Sequence, residues 1–153
     1  MSNIYIHHGA SQYDPSKFKA VKNMLAFTKP EGGLWASPVD APFGWAERYT
    51  MVNQVDTLDN NFRFMLTDDA NVLYINSADD LIDLPKIQSE FPLPSMFTFL
   101  DFEQLLESGI DAIQVNMSNE SEVGEWGEGL YWRLYGWDCD SILVMNKEIV
   151  VPI

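Results

Sequence analysis

Cysteine is almost missing from this chain: Cys139 is the only one. An intramolecular disulfide is therefore impossible, and the thiol content calls for no oxidising compartment. Two adjacent histidines and one distant cysteine also supply a structural zinc site poorly. The acidic pairs Asp68-Asp69 and Asp79-Asp80 read as turn and helix-start chemistry rather than metal clusters. No apolar run approaches the roughly 18 residues that cross a bilayer. Met1 to Tyr5 carries neither the basic region nor the apolar stretch of a secretory leader. A soluble cytoplasmic protein without metal or membrane contact is the expectation. No phosphate-binding glycine loop of the P-loop or dinucleotide type is present either.

Basic residues are scarce as well. The chain has 9 Lys and Arg against 23 Asp and Glu, a formal charge of -14. Residues 1–53 are nearly neutral, so almost all of the excess lies after Asn53. A field of that sign repels nucleic-acid phosphates and attracts basic protein surfaces. Direct nucleic-acid binding is thereby disfavoured, and a partner with a basic surface is favoured. The plainer reading is that the charge keeps the protein soluble.

What is present is a core's worth of apolar residues, 46% of 153, enough for one folded domain over residues 1–153. Ile4-Tyr5-Ile6 reads as a first strand ended by Gly9. Asp14 and Pro15 suit an N-cap and first helical position, and Phe18, Val21, Met24 and Leu25 recur at helical spacing. This predicts a helix that runs to Lys29-Pro30. Leu34 to Ser37 reads as a strand, and Trp45 to Asn53 as a helix. Phe62–Leu66 and Val72–Ile75 read as strands about a turn at 68–71. Ser77 opens a short helix that Pro85 stops, and Phe91-Pro92-Leu93-Pro94 reads as extended linker. Asp101 caps a helix that stops at Gly109. Ala112–Val115, Leu130–Leu134, Ser141–Met145 and Ile149–Val151 read as strands, with an acidic loop at 119–129. The pattern predicts an α+β fold with a mixed or antiparallel sheet and a few short helices.

Three segments can carry chemistry. His7-His8-Gly9 stands at a strand end, where an imidazole can bond a ligand hydroxyl and a glycine lets backbone approach a flat ligand. The plainer reading is a turn glycine beside a satisfied histidine. In Gly33-Leu34-Trp35-Ala36-Ser37, an aromatic between small residues suits ring stacking, and Ser37 adds a hydroxyl. The plainer reading is a core tryptophan. Trp45 and Tyr49, one helical turn apart, suit a second aromatic wall or plain core. Asp138 and Asp140 precede a nearly all-apolar strand, a common place for a catalytic carboxylate and for a turn acid alike.

Taken in order, His8-Gly9, Gly33 to Ser37 and Asp140 to Asn146 resemble the ADP-ribosyltransferase superfamily, in its branch with a His-Tyr-acid pattern. Lys29 to Pro38 and Tyr135 to Cys139 further resemble phage and gut-bacterial proteins. The resemblance implies a split β-sheet and NAD as cofactor. His8 would bond a ribose hydroxyl, Gly9 would hold the nicotinamide amide through its backbone, and Trp35 would stack on the nicotinamide. Ser37 and Tyr49 would complete the pocket, and Asp140 would stand where the family's catalytic acid stands. The reaction would break the ribose–nicotinamide bond and transfer ADP-ribose to a protein with a basic surface. This chain departs from the pattern with Trp for Tyr and Asp for Glu, and a register slip of one residue would put Ser141 at the acid's place. Family members that lack the acid bind without transfer. A different class of function follows from charge alone: a non-enzymatic acidic inhibitor that mimics nucleic acid and blocks a basic protein.

Overall fold

The computed structural model describes residues 4–24, 27–88, 97–119, 129–134, 136–137 and 139–153. The linker at Phe91–Pro94, most of the acidic loop 119–129, and Leu25, Tyr135 and Asp138 lie outside them. Among the described residues, seven strands form one sheet: β1 (Tyr5–His8), β2 (Leu34–Pro38), β3 (Asn61–Leu66), β4 (Val72–Ile75), β5 (Ala112–Val115), β6 (Ser141–Val144) and β7 (Val150–Pro152). Their order is β4-β5-β6-β2-β1-β3-β7. The β4–β5 pair is parallel, and its crossover carries helix α2 (Phe102–Glu107). The other neighbours pair antiparallel, so the sheet is mixed and the fold is α+β.

Strand β2 changes partner halfway along. Leu34, Trp35 and Ala36 pair with Val144, Leu143 and Ile142 of β6, whereas Ser37 and Pro38 pair with Ile6 and Tyr5 of β1. Beyond Ile6, β1 leaves β2, and His7 and His8 continue along β3 opposite Phe62 and Asn61. The imidazole of His7 fills the parting: its Nδ1 lies 2.6 Å from the Trp35 carbonyl. The histidines are thus the last two residues of β1, at the strand end as expected.

Alternation along the strands builds two cores. Leu143, Ile113, Val115, Trp137 and Met145 belong to one, with α2 packed against it through Phe102 and Leu105. Ile142, Val144, Ala36, Tyr5 and Phe64 belong to the other. Helix α2 starts as expected, with the Asp101 carboxylate accepting from Gln104 N at 3.0 Å, and stops before Gly109 at φ 103°. Helix α1 (Trp45–Met51) also forms where expected.

Two expectations fail. Among the described residues of the helix expected from Pro15 to Lys29, the helical part is a single 3-10 turn, Pro15–Lys17. Phe18 is already extended, and Lys22 and Glu31 exchange both backbone hydrogen bonds, at 3.0 and 2.9 Å. Gly32, at φ 78°, brings that partner segment so close that a Cβ there would meet the Ala20 carbonyl oxygen at 2.3 Å. Docking against Glu31–Gly33 therefore outweighs a periodic pattern that is equally served by burying Val21. Leu130–Arg133, expected as a strand, is a helix, α3. Leu130 and Leu134 are fully buried, and the Leu134 N–H donates to the Leu130 carbonyl at 2.8 Å. A four-residue spacing falls on one face of a strand and of a helix alike, so the apolar pattern did not separate the two.

Candidate functional site

His7, His8, Lys29, Trp35, Trp45 and Tyr49 line one hollow of about 190 Å³. Each comes from a different constraint. β1 supplies the histidines, and β2 presents Trp35 toward Trp137, whose buried ring meets it edge-on at 4.7 Å. Helix α1 supplies Trp45 and Tyr49, whose rings lie 5.7 Å apart, and Tyr49 meets His8 edge-on at 6.3 Å. The Lys29 ammonium lies over both indoles, 4.4 Å from the Trp35 ring centre and 4.8 Å from that of Trp45.

The polar atoms of this cleft are unevenly satisfied. His7 Nδ1 faces a carbonyl, which only accepts, so it carries the proton in the neutral ring. By contrast, both ring nitrogens of His8 and the indole N–H of Trp45 are shielded from water without a hydrogen-bond partner. Burial lowers the pKa of both histidines below 6.5. The Trp35 carbonyl opposes the shift at His7, and the Leu58 carbonyl does so at His8 without reaching bonding geometry. Both rings are therefore neutral at pH 7, and burial raises the Tyr49 phenol as well. Lys29 is the one cation among the six lining residues, and none of them is a carboxylate.

Of the residues singled out from sequence, His7, His8, Trp35, Trp45 and Tyr49 meet in this cleft. Gly9, Ser37 and Asp140 do not line it. Gly9 takes φ 121°, and its N–H donates to the Asn60 carbonyl at 2.8 Å. Ser37 is buried; its hydroxyl donates to the Asp140 carbonyl at 2.7 Å and accepts from Trp45 N at 2.9 Å. Asp140 is 2% exposed, and its carboxylate accepts from Phe43 N at 3.2 Å, Ser118 N at 2.8 Å and the Ser118 hydroxyl. Its own N–H donates to the Phe43 carbonyl at 2.8 Å. Asp140 and Ser37 thus fasten the chain that enters α1, and act on Trp45 and Tyr49 at one remove. Ser141, also fully buried, turns its hydroxyl to the Cys139 carbonyl.

Lys29 was the lining residue that sequence reasoning did not place in the pocket. Lys29 read as a helix end beside Pro30 and as the start of the Lys29 to Pro38 segment; its place three residues before Gly32-Gly33-Leu34-Trp35 is the signal that pointed to the aromatic strand. Gly33 serves packing: a Cβ there would come within 2.5 Å of Leu143 and 2.9 Å of the Val144 carbonyl oxygen. Among the described residues no cluster of metal-binding side chains occurs, and no helix is long and apolar enough to cross a membrane. No family model, curated protein or solved structure matches the chain.

Proposed function

We propose that the chain is an ADP-ribosyltransferase-like domain that holds a nicotinamide dinucleotide of the NAD class, with the nicotinoyl ring in the Trp35–His8–Tyr49 cleft. One observation carries this reading: three buried polar atoms, His8 Nδ1, His8 Nε2 and Trp45 Nε1, have no protein partner and belong to residues of one aromatic hollow. An unpartnered buried polar group costs about 1–3 kcal/mol, so native folds keep few of them without a use. A neutral imidazole offers one donor and one acceptor, the indole offers a donor, and a carboxamide needs both kinds. Trp35, braced from behind by Trp137, gives a flat ring a wall. A hollow of about 190 Å³ is smaller than the ~300–1,000 Å³ that encloses a drug-sized ligand. It takes one ring and leaves the rest of a dinucleotide outside. The parting of β2 between β6 and β1 supports the split sheet of that fold.

Mono-ADP-ribosyl transfer to a basic protein is the catalytic form of this reading, and the hydrogen bonds of Asp140 favour the binding form. Calorimetric titration with NAD and with NADH tests the proposal. Binding that weakens at least about tenfold in Trp35→Ala and His8→Ala is expected; no heat with either form sinks it. Tagged NAD in a cell lysate separates the two forms, since label that appears with wild type and not with Trp35→Ala would restore transfer.

A further inference from the structure

His7 lines a second hollow as well as the aromatic cleft. This one has a volume of about 200 Å³, and Tyr13, Phe18, Leu34 and Phe62 wall it beside Gln12 and Lys17. The two hollows lie on opposite faces of the sheet. Leu34, Phe18 and Phe62 pack with the Ile142 core, whereas Trp35 packs against the Leu143 core, as strand alternation dictates. His7 reaches both because β1 and β2 part beside it and its imidazole fills the gap.

On the second face the ring is held ready to accept. The Trp35 carbonyl takes the Nδ1 proton, which leaves Nε2 as the acceptor of the neutral imidazole. Among the described residues that carbonyl is the one hydrogen-bond partner of the ring. Gly9 stands next to Nε2 at φ 121°; a Cβ there would already touch the nitrogen at 3.7 Å, so the glycine keeps that side clear. The Phe62 ring centre lies 5.0 Å from that of His7, and Tyr13 lies 5.9 Å from Phe62. A ligand here needs a flat body for the aromatic walls and a donor for Nε2. The Gln12 amide and the Lys17 ammonium both donate, so an acceptor beside that donor is served too. An amine-bearing heteroaromatic ring of the adenine type offers both on one edge. The hollow is smaller than the ~300–1,000 Å³ of a drug-sized pocket, so it takes the ring alone.

We propose that the hollow between Tyr13, Phe62 and His7 is a second ligand site, which takes an amine-bearing heteroaromatic base of the adenine type, its amine donating to His7 Nε2. The site stands apart from the nicotinamide reading, because its walls lie on the other face of the sheet.

Calorimetry of the full chain with adenosine and with purine riboside, which lacks the exocyclic amine, tests this. Adenosine is expected to bind at least about tenfold tighter than purine riboside. Tyr13→Ala is expected to weaken adenosine at least about fivefold through the lost wall. Trp35→Ala keeps the backbone carbonyl that holds His7 and is expected to leave adenosine binding unchanged. No heat with adenosine, or equal affinity for purine riboside, overturns the proposal. So does adenosine binding that Trp35→Ala abolishes and Tyr13→Ala spares, since the base then sits in the aromatic cleft. Tyr13 is half-buried and its hydroxyl bond to the Lys147 carbonyl is long, 3.4 Å, so its loss leaves the cores intact. Should that variant still fail to fold, nitrogen NMR of His7 in the wild-type chain replaces it. An Nε2 resonance that moves with adenosine and not with purine riboside supports the site, and one that stays put refutes it.

Discussion

His7 and His8 are adjacent in sequence and opposite in situation. Nδ1 of His7 is bonded to the Trp35 carbonyl, at the point where β1 leaves β2. His8 has no such bond, and both of its ring nitrogens are shielded from water without a partner. Burial lowers both pKa values below 6.5, so the unfolded chain takes up protons that the folded chain refuses. Protons bound by the unfolded state alone weaken the fold, and stability should fall as pH drops from about 6.5 toward the lowered values. Thermal melts of wild type and a His7→Asn/His8→Asn double variant across that window test this. The double variant is expected to show the shallower slope; equal slopes would mean that neither ring titrates differently on folding.

At the scale of elements, the cleft depends on how α1 is tied down. The helix is seven residues long and contributes no fully buried side chain, so packing alone holds it weakly. Its start is fixed from three sides: Glu47 accepts from Gly44 N at 2.9 Å, Ser37 accepts from Trp45 N, and Asp140 holds Phe43 in a mutual pair. Gly44 is needed there because a Cβ would stand 2.9 Å from the Ser37 side chain. Asp140→Asn replaces an acceptor with a donor against Ser118 and Phe43. Such a change in a buried hydrogen-bonded group costs about 2–4 kcal/mol, or roughly 5–15 °C in Tm for a chain of this size. A melt that moves by less than about a degree would remove Asp140 from this role. Ligand binding by the folded fraction should weaken, not vanish, because the side chain lies outside the cleft.

For the whole molecule, the charge of -14 opposes compaction, and salt screens it over about 8–10 Å at ordinary ionic strength. Raising salt from about 20 mM to about 300 mM should therefore raise Tm by a few degrees. A fall would mean that attractive ion pairs outweigh the repulsion. The acidic-inhibitor reading also belongs at this scale. It predicts salt-sensitive binding to a basic protein that Trp35→Ala leaves unchanged.

Much of the frame was readable without coordinates. The strands Val72–Ile75 and Ala112–Val115 declared themselves by apolar β-prone runs between turn residues, and Asp101 and Gly109 marked both ends of α2. Trp35, His8 and Tyr49 were legible as pocket candidates because flat apolar rings and imidazoles beside glycines suit close approach of a planar ligand. Local chemistry acts over a few residues, and these features are local. Three things depended on partners distant in sequence. Val21 is buried in an extended segment because Glu31 pairs with Lys22. Asp140 is a fastener because Phe43 and Ser118 reach it across 97 and 22 residues. Lys29 stands over two tryptophans because the sheet and α1 converge on it. The sequence determined which residues could make a ring-binding cleft; the tertiary structure decided which of them face it, since a side chain's role follows from neighbours that its own segment does not contain.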